Sequence, residues 1–161
     1  MPIHTLDFTQ KINAPRATAW AFFSNPANLS RITPPGMSFK TLTPDLPASI
    51  HPGLMITYSV KPMLGIPMKW LTEITHVREG DYFVDEQRIG PYSIWHHEHW
   101  FEDAAPGQTL MRDKITYVLP LGHLGNLVHP FLVKPQLDNI FAYRRLAVQE
   151  IFGSIPAAPT A

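Results

Sequence analysis

The sequence predicts an α+β domain: an antiparallel sheet of six to seven strands followed by one long C-terminal helix. Three observations lead there. Most of the chain from Leu54 to Leu119 alternates apolar and polar residues with a period of two, as half-buried strands do. Short turn-forming clusters separate these runs, among them Arg78-Glu79-Gly80, Gly90-Pro91 and Ala105-Pro106-Gly107, so the strands follow one another as a meander. The stretch from about Pro135 to Phe152 instead repeats its apolar residues at helical spacing.

Each element follows from its own residues. Ile3 to Ile12 alternates and forms a first strand. Asn13 or Ala14 then leads into Pro15, a residue suited to the first turn of a helix, and Arg16 to Ser24 supplies Trp20, Phe22 and Phe23 at helical spacing. Asn25 caps a second short helix that runs to about Ile32, where Thr33-Pro34-Pro35-Gly36 ends it. Met37 to Leu42 is expected as a second strand, Thr43 to Gly53 as a proline-spaced loop, and Leu54 to Val60 as a third strand. Lys61 to Pro67 links it to a fourth, Met68 to Val77. Tyr82 to Arg88, Ser93 to Glu102 and Thr109 to Leu119 complete the sheet. Gly122 to Lys134 reads as loop with helical turns, interrupted by Pro130 and Pro135. Residues 1–153 form one domain, and Ser154 to Ala161 is expected to be a disordered Pro/Ala tail.

Composition narrows the function. A chain of 161 residues suits a single core. Lysines and arginines number 13 and so do the acids, so no basic field exists to attract nucleic acid or anionic lipid. The absence of cysteine removes disulfides, thiol nucleophiles and thiolate metal sites together. The start, MPIHTLDFTQ, has no basic end followed by an apolar run, so no signal peptide is expected. No apolar stretch approaches the ~18 residues of a membrane span. The expectation is a soluble cytoplasmic domain.

The chemistry gathers between Asp81 and Pro120. Alternation puts Trp95, His97, His99 and Phe101 on one strand face and Ile94, His96, Glu98 and Trp100 on the other. On the next strand Met111, Asp113, Ile115, Tyr117 and Leu119 oppose a face carrying Arg112 and Lys114. Both apolar sets therefore point inward, provided no bulge interrupts the strand after Gly90-Pro91. On the closing helix Leu137, Ile140, Phe141, Val148, Ile151 and Phe152 share one arc, and Arg144 falls near its middle. A guanidinium there must either snorkel to the edge or meet an inward acid, and Asp113 and Asp85 are the natural partners.

Each signal carries two readings. His97 and His99 have spacing that permits metal ligation, with a third ligand to come from Asp113 or Glu73. Paired structural histidines have the same spacing, and neither a metal nor a cofactor is assigned. His97 with Asp113 forms either a general base with its orienting acid, Tyr117 adding a hydroxyl, or a structural polar network closed by Arg144. Trp20, Phe22, Phe23, Trp70, Trp95 and Phe141 suit a planar ligand or an ordinary core. The Gly122-His123-Leu124-Gly125 turn is a gate or a plain helix-entry loop. Ser93 has no acid at a telling distance for a hydrolytic triad, and the glycines form no phosphate-binding pattern.

Four segments resemble the START/Bet v 1-like superfamily, also called SRPBCC, near its polyketide cyclase/dehydrase-like bacterial branch. They are INAPRATAWAFFSNPANLSRITPPG, FVDEQRIGPYSIWHHEHWF, MRDKITYVLPLGHLG and IFAYRR, and the resemblance spans about residues 3 to 152. It implies a helix-grip fold, a curved antiparallel sheet of six to seven strands wrapped around the long C-terminal helix, with a hydrophobic cavity between them. The residues implied to line it are Trp70, Asp85, Gln87, Trp95, His97, His99, Phe101, Met111, Asp113, Ile115, Tyr117, Phe141 and Arg144. Members bind lipids and other apolar molecules, or catalyse cyclisation, dehydration or hydroxylation, so the implied function is binding of a small hydrophobic or amphipathic ligand such as a lipid, polyketide or aromatic metabolite. A cyclase or dehydratase using His97, Asp113 and Tyr117 is the alternative, and a protein-interaction module a second. The oxygenase branch needs a Rieske domain with cysteine ligands, which this cysteine-free chain does not provide. Some members are joined to a sugar-nucleotide epimerase-like domain, which makes such a protein an implied partner.

Overall fold

A computed structural model describes residues 2–61 and 65–155. Strand β1 (His4–Ile12) leads into helix α1 (Arg16–Phe23) and two 3-10 turns (Pro26–Ile32 and Pro35–Met37). Strands β2 (Lys40–Thr41), β3 (Met55–Val60), β4 (Met68–Arg78), β5 (Tyr82–Ile89), β6 (Ile94–Ala105) and β7 (Gln108–Val118) follow. Helix α2 (His123–Val128) passes through a π-helical turn (His129–Val133) directly into α3 (Lys134–Phe152). The seven strands form one sheet in the order β1-β7-β6-β5-β4-β3-β2, every pair antiparallel. This is the helix-grip arrangement, with the sheet curved around α3.

The local reasons are those the residues announce. Pro15 stands immediately before the first turn of α1, and the Asn25 side chain accepts a hydrogen bond from the Ala27 amide at 3.0 Å to cap the next turn. Two expectations are corrected. Met37 to Leu42 is not a full strand: Pro34 and Pro35 lead into a 3-10 turn that takes Met37, Ser38 adopts a left-handed backbone, and only Lys40–Thr41 pairs with β3. The segment before α3 is more helical than a loop, because Pro130 sits at the start of a π turn, where the wider spacing carries the helix past its missing amide. Of the expected tail, residues 156–161 lie outside the described residues, as do 62–64 of the link before β4. Among the described residues no helix is long and apolar enough to cross a membrane.

Alternation on β6 holds as far as Asp103, where the first register shift against β7 occurs. Trp95, His97, His99 and Phe101 are accordingly all buried. The β4–β5 ladder is less regular, with shifts at Leu71/Thr72 and Ile74/His76 that add twist where the sheet bends. The apolar core falls into two clusters. One gathers Trp20, Phe22, Phe23, Phe83, Phe101, Met111 and Val148. The other gathers Trp95, Ile115, Tyr117, Leu137 and Phe141. Between them, on three elements at once, the inward residue is polar: His97 and His99 on β6, Asp113 on β7, Arg144 on α3. A belt of charge crosses the middle of the core.

Candidate functional site

The belt is built by register. Asp85 on β5 pairs with His97, and His99 pairs with Asp113 on β7, so two imidazoles two residues apart on β6 stand between two carboxylates. Their rings are tilted by 37° with centroids 3.7 Å apart, and Phe83 stacks on His99 at 4.1 Å. Asp113 Oδ1 is the focus. It accepts from His97 Nε2 at 2.9 Å, faces His99 Nδ1 at 3.0 Å, and meets an Arg144 guanidinium nitrogen at 3.3 Å. Asp85 Oδ2 closes the other side, 2.6 Å from His99 Nε2 and 3.6 Å from His97 Nδ1.

Arg144 therefore points inward, as its place in the helix arc allows, with only 9% of its surface exposed. Its charged head is also flanked by the faces of Phe23 and Phe141, with ring centroids 5.4 and 5.9 Å away. Sequence reasoning offered it Asp113 or Asp85. It takes Asp113 and leaves Asp85 to the histidines.

The protonation states follow from these partners. Burial alone would raise Asp113, but the Arg144 charge and the two imidazole hydrogen bonds hold its carboxyl well below the ordinary range. Asp85 is likewise lowered: burial opposes ionisation, and the neighbouring histidines and Arg144 outweigh it. Burial would depress His99, yet bonds to Asp113 and Asp85 at both ring nitrogens leave it raised. His97 is lowered, by burial first and then by the charge of His99. A proton in the belt is therefore held on His99 in preference to His97, between two carboxylates one of which also faces Arg144. Among the described residues no buried side-chain nitrogen or oxygen lacks a partner.

One end of this belt opens on a cavity of about 210 Å³ between the sheet and α3. Of the residues implied to line it, Trp70, Asp85, Trp95, His97, His99, Phe141 and Arg144 do so. Asp113 stands behind the histidines, outside the wall, and Phe101, Met111 and Ile115 fill core. Gln87 instead braces the turn after β5: its amide donates to the Tyr92 carbonyl at 2.6 Å and its oxygen accepts from the Tyr92 amide at 3.2 Å. Tyr117 is fully buried, but its hydroxyl turns away to His129 Nε2 at 2.6 Å, so it does not join His97 and Asp113. Glu73 is bonded to Arg88 and is likewise no partner of the histidines.

Phe22 and Phe23, rings that the sequence offered to a planar ligand, are in the wall, while Trp20 is not. Much of the rest comes from residues that sequence reasoning left aside: Ile56, Tyr58 and Val60 of β3, Thr72 and Ile74 of β4, Ile32 and Ile50. The signal existed for β3, whose alternation puts those three on one face. For Ile50 it did not: a loop residue comes inside because its amide bonds the Ser24 carbonyl at 2.8 Å, a contact between distant segments.

No protein-family model matches the chain, and no curated protein sequence matches it. Solved structures do. Ginseng major latex-like protein 151 from Panax ginseng superposes with a TM-score of 0.69 at 12% identity, covering 94% of this chain and 99% of that one. A START superfamily protein from Mycobacterium smegmatis gives 0.69 at 12%, over 92% and 97%. A point mutant of norcoclaurine synthase from Thalictrum flavum, solved with a transition-state analogue, gives 0.65 at 11%, over 93% and 96%. At such identities the likeness establishes the fold: START/Bet v 1-like, over nearly the whole chain.

Proposed function

We propose that the protein binds a small, mostly apolar molecule with a polar end in the cavity between the sheet and α3. The observation that carries this is the cavity's asymmetry. Its walls are apolar and aromatic except at one place, where Asp85, His97, His99 and Arg144 converge, the usual arrangement of a site that draws affinity from burial and orientation from a few polar groups. A cavity of about 210 Å³ is little larger than the ~150 Å³ engineered void that takes up benzene. That volume favours an aromatic or short polyketide-like metabolite over a two-chain lipid. Trp70 and Trp95 meet edge to face at 5.5 Å in the wall and offer ring surfaces for such a molecule.

The second reading, a cyclase or dehydratase, keeps a specific observation in its favour. His97 lines the cavity, is oriented by Asp113 at 2.9 Å, and has a lowered pKa that leaves it unprotonated near neutral pH, as a general base must be. Tyr117 has no part in this version.

Native mass spectrometry of the protein purified from its natural source, with identification of whatever it carries, tests the reading. A bound aromatic or polyketide metabolite at one per chain is expected. An empty protein that also shows no thermal shift with a panel of small aromatic ligands would refute it. Turnover of the bound molecule by the wild type and not by His97→Gln, with binding kept, would select the enzymatic version.

A further inference from the structure

We infer that Asp85, His97 and His99 form a binding site for a divalent transition-metal ion at the polar end of the cavity. The three donors converge: one carboxylate oxygen and one nitrogen of each imidazole lie within 4.8 Å of one another. Asp85 Oδ2 is 2.6 Å from His99 Nε2 and 3.6 Å from His97 Nδ1. Two ligands at the ~2.0–2.1 Å bond length of a tetrahedral zinc site stand about 3.3 Å apart. The two Asp85 spacings straddle that value, and all three donors lie within 4.8 Å of one another, so rotamer-scale shifts bring them to the bonded geometry.

What lies behind the donors argues further for a metal. Each imidazole turns its other nitrogen to the same oxygen, His97 Nε2 at 2.9 Å and His99 Nδ1 at 3.0 Å from Asp113 Oδ1. A carboxylate in that position holds the hydrogen on the near nitrogen of each ring, the support that metal-ligating histidines ordinarily have. The other nitrogen of His97 offers its lone pair, and His99 Nε2 does so once an incoming cation displaces the proton it shares with Asp85. Arg144 does not compete for the ligand atoms. It stands on the Asp113 side, at 3.3 Å, and tempers the charge of the supporting carboxylate. Phe83 stacked on His99 and Trp95 edge-on to His97 limit ring movement.

Two imidazoles and one carboxylate on a single face suit zinc or ferrous iron, and leave coordination positions free. Because Asp85, His97 and His99 all line the cavity, those positions open onto it. With both rings neutral, a dication, Arg144 and two carboxylates sum to one positive charge. An anionic oxygen donor on the cavity's ligand, a carboxylate, enolate or phenolate, restores neutrality. The inference does not depend on the ligand-binding reading, because the metal alone is the probe.

The test is titration of chelator-stripped wild-type protein with Zn²⁺ by calorimetry, and with Co²⁺ by visible absorption. Saturable binding at one ion per chain is expected, with the intense ligand-field bands of a four- or five-coordinate cobalt site. His99→Gln and Asp85→Asn are each expected to weaken binding at least ~100-fold. Asp113→Asn, titrated at a temperature where circular dichroism shows the variant folded, is expected to weaken it by about 10–100-fold. Exchange of the exposed His51 and His76 for Gln is expected to change nothing. Absence of saturable binding by the wild type overturns the proposal without any variant. So does binding that survives both His97→Gln and His99→Gln, or that disappears with His51→Gln or His76→Gln.

Discussion

Removing Asp113's charge should destabilise the core, and removing Arg144 as well should partly repair it. Three N–H groups converge on Asp113 Oδ1, at 2.9 Å from His97, 3.0 Å from His99 and 3.3 Å from Arg144. Asp113→Asn keeps the shape and one acceptor oxygen but strands the buried guanidinium, because among the described residues no other carboxylate lies within 4 Å of Arg144. Breaking a buried pair from one side costs about 3–5 kcal/mol. For a chain of this length that lowers the melting temperature by roughly 6–20 °C. Arg144→Met alone should cost a similar amount, since it leaves Asp113 without its cation. In the double variant the remaining charges are Asp85 and His99, already paired at 2.6 Å. It should therefore be more stable than Asp113→Asn alone, which makes the coupling energy larger than the whole cost of Arg144→Met, at least about 3 kcal/mol. Urea denaturation of all four proteins, with chelator present, measures the cycle. Costs that simply add, with the double variant the least stable, would refute the pairing of Arg144 with Asp113.

Other consequences are simpler to measure. Thr109 is fully buried and donates to the Ala14 carbonyl at 2.8 Å, tying the start of β7 to the turn before α1. Thr109→Val should cost about 1–3 kcal/mol in the same denaturation assay through the unsatisfied carbonyl. Leu121 holds a left-handed backbone at φ 63° with its side chain largely exposed, so Leu121→Gly should raise stability by up to ~1 kcal/mol. His129 accepts from the Tyr117 hydroxyl, stacks on His4 at 3.8 Å, and faces Lys134 from the start of α3. Its pKa is lowered, by burial first and by those two neighbours after it. The folded protein thus binds fewer protons there than the unfolded chain, and stability falls as pH drops below the unfolded value of ~6.5. Protection factors in α2, which remove the slower intrinsic exchange of acid, should fall between neutral pH and about pH 5, and His129→Gln should remove that acid sensitivity.

Much of this site was legible in the sequence because β6 keeps strict alternation. With no bulge between Ile94 and Asp103, a period of two places Trp95, His97, His99 and Phe101 on the inner face, and the helical period independently brings Arg144 inward. Where local order breaks, reading stopped. The two consecutive prolines before Met37 replace most of an expected strand with a 3-10 turn. The direction of Tyr117's hydroxyl is set by His129, which sits in a π turn whose position no periodicity reveals. The partition of acids was also out of reach. Asp85 and Asp113 are both inward, and only the β5–β6–β7 register decides that the guanidinium takes the second and the histidines share both.

The central claim is that the cavity between the sheet and α3 is where a ligand binds. It is tested most directly by filling that cavity. Ile140 lines it and is half-buried, so Ile140→Trp adds bulk to the wall without inserting it wholly into close-packed core. Calorimetric titration of wild type and Ile140→Trp with the small aromatic ligand that best stabilises the wild type gives the answer. The account predicts one site per chain, weakened at least tenfold in the variant while its circular dichroism and cooperative unfolding persist. Equal affinity in the two proteins would place the ligand elsewhere and contradict it.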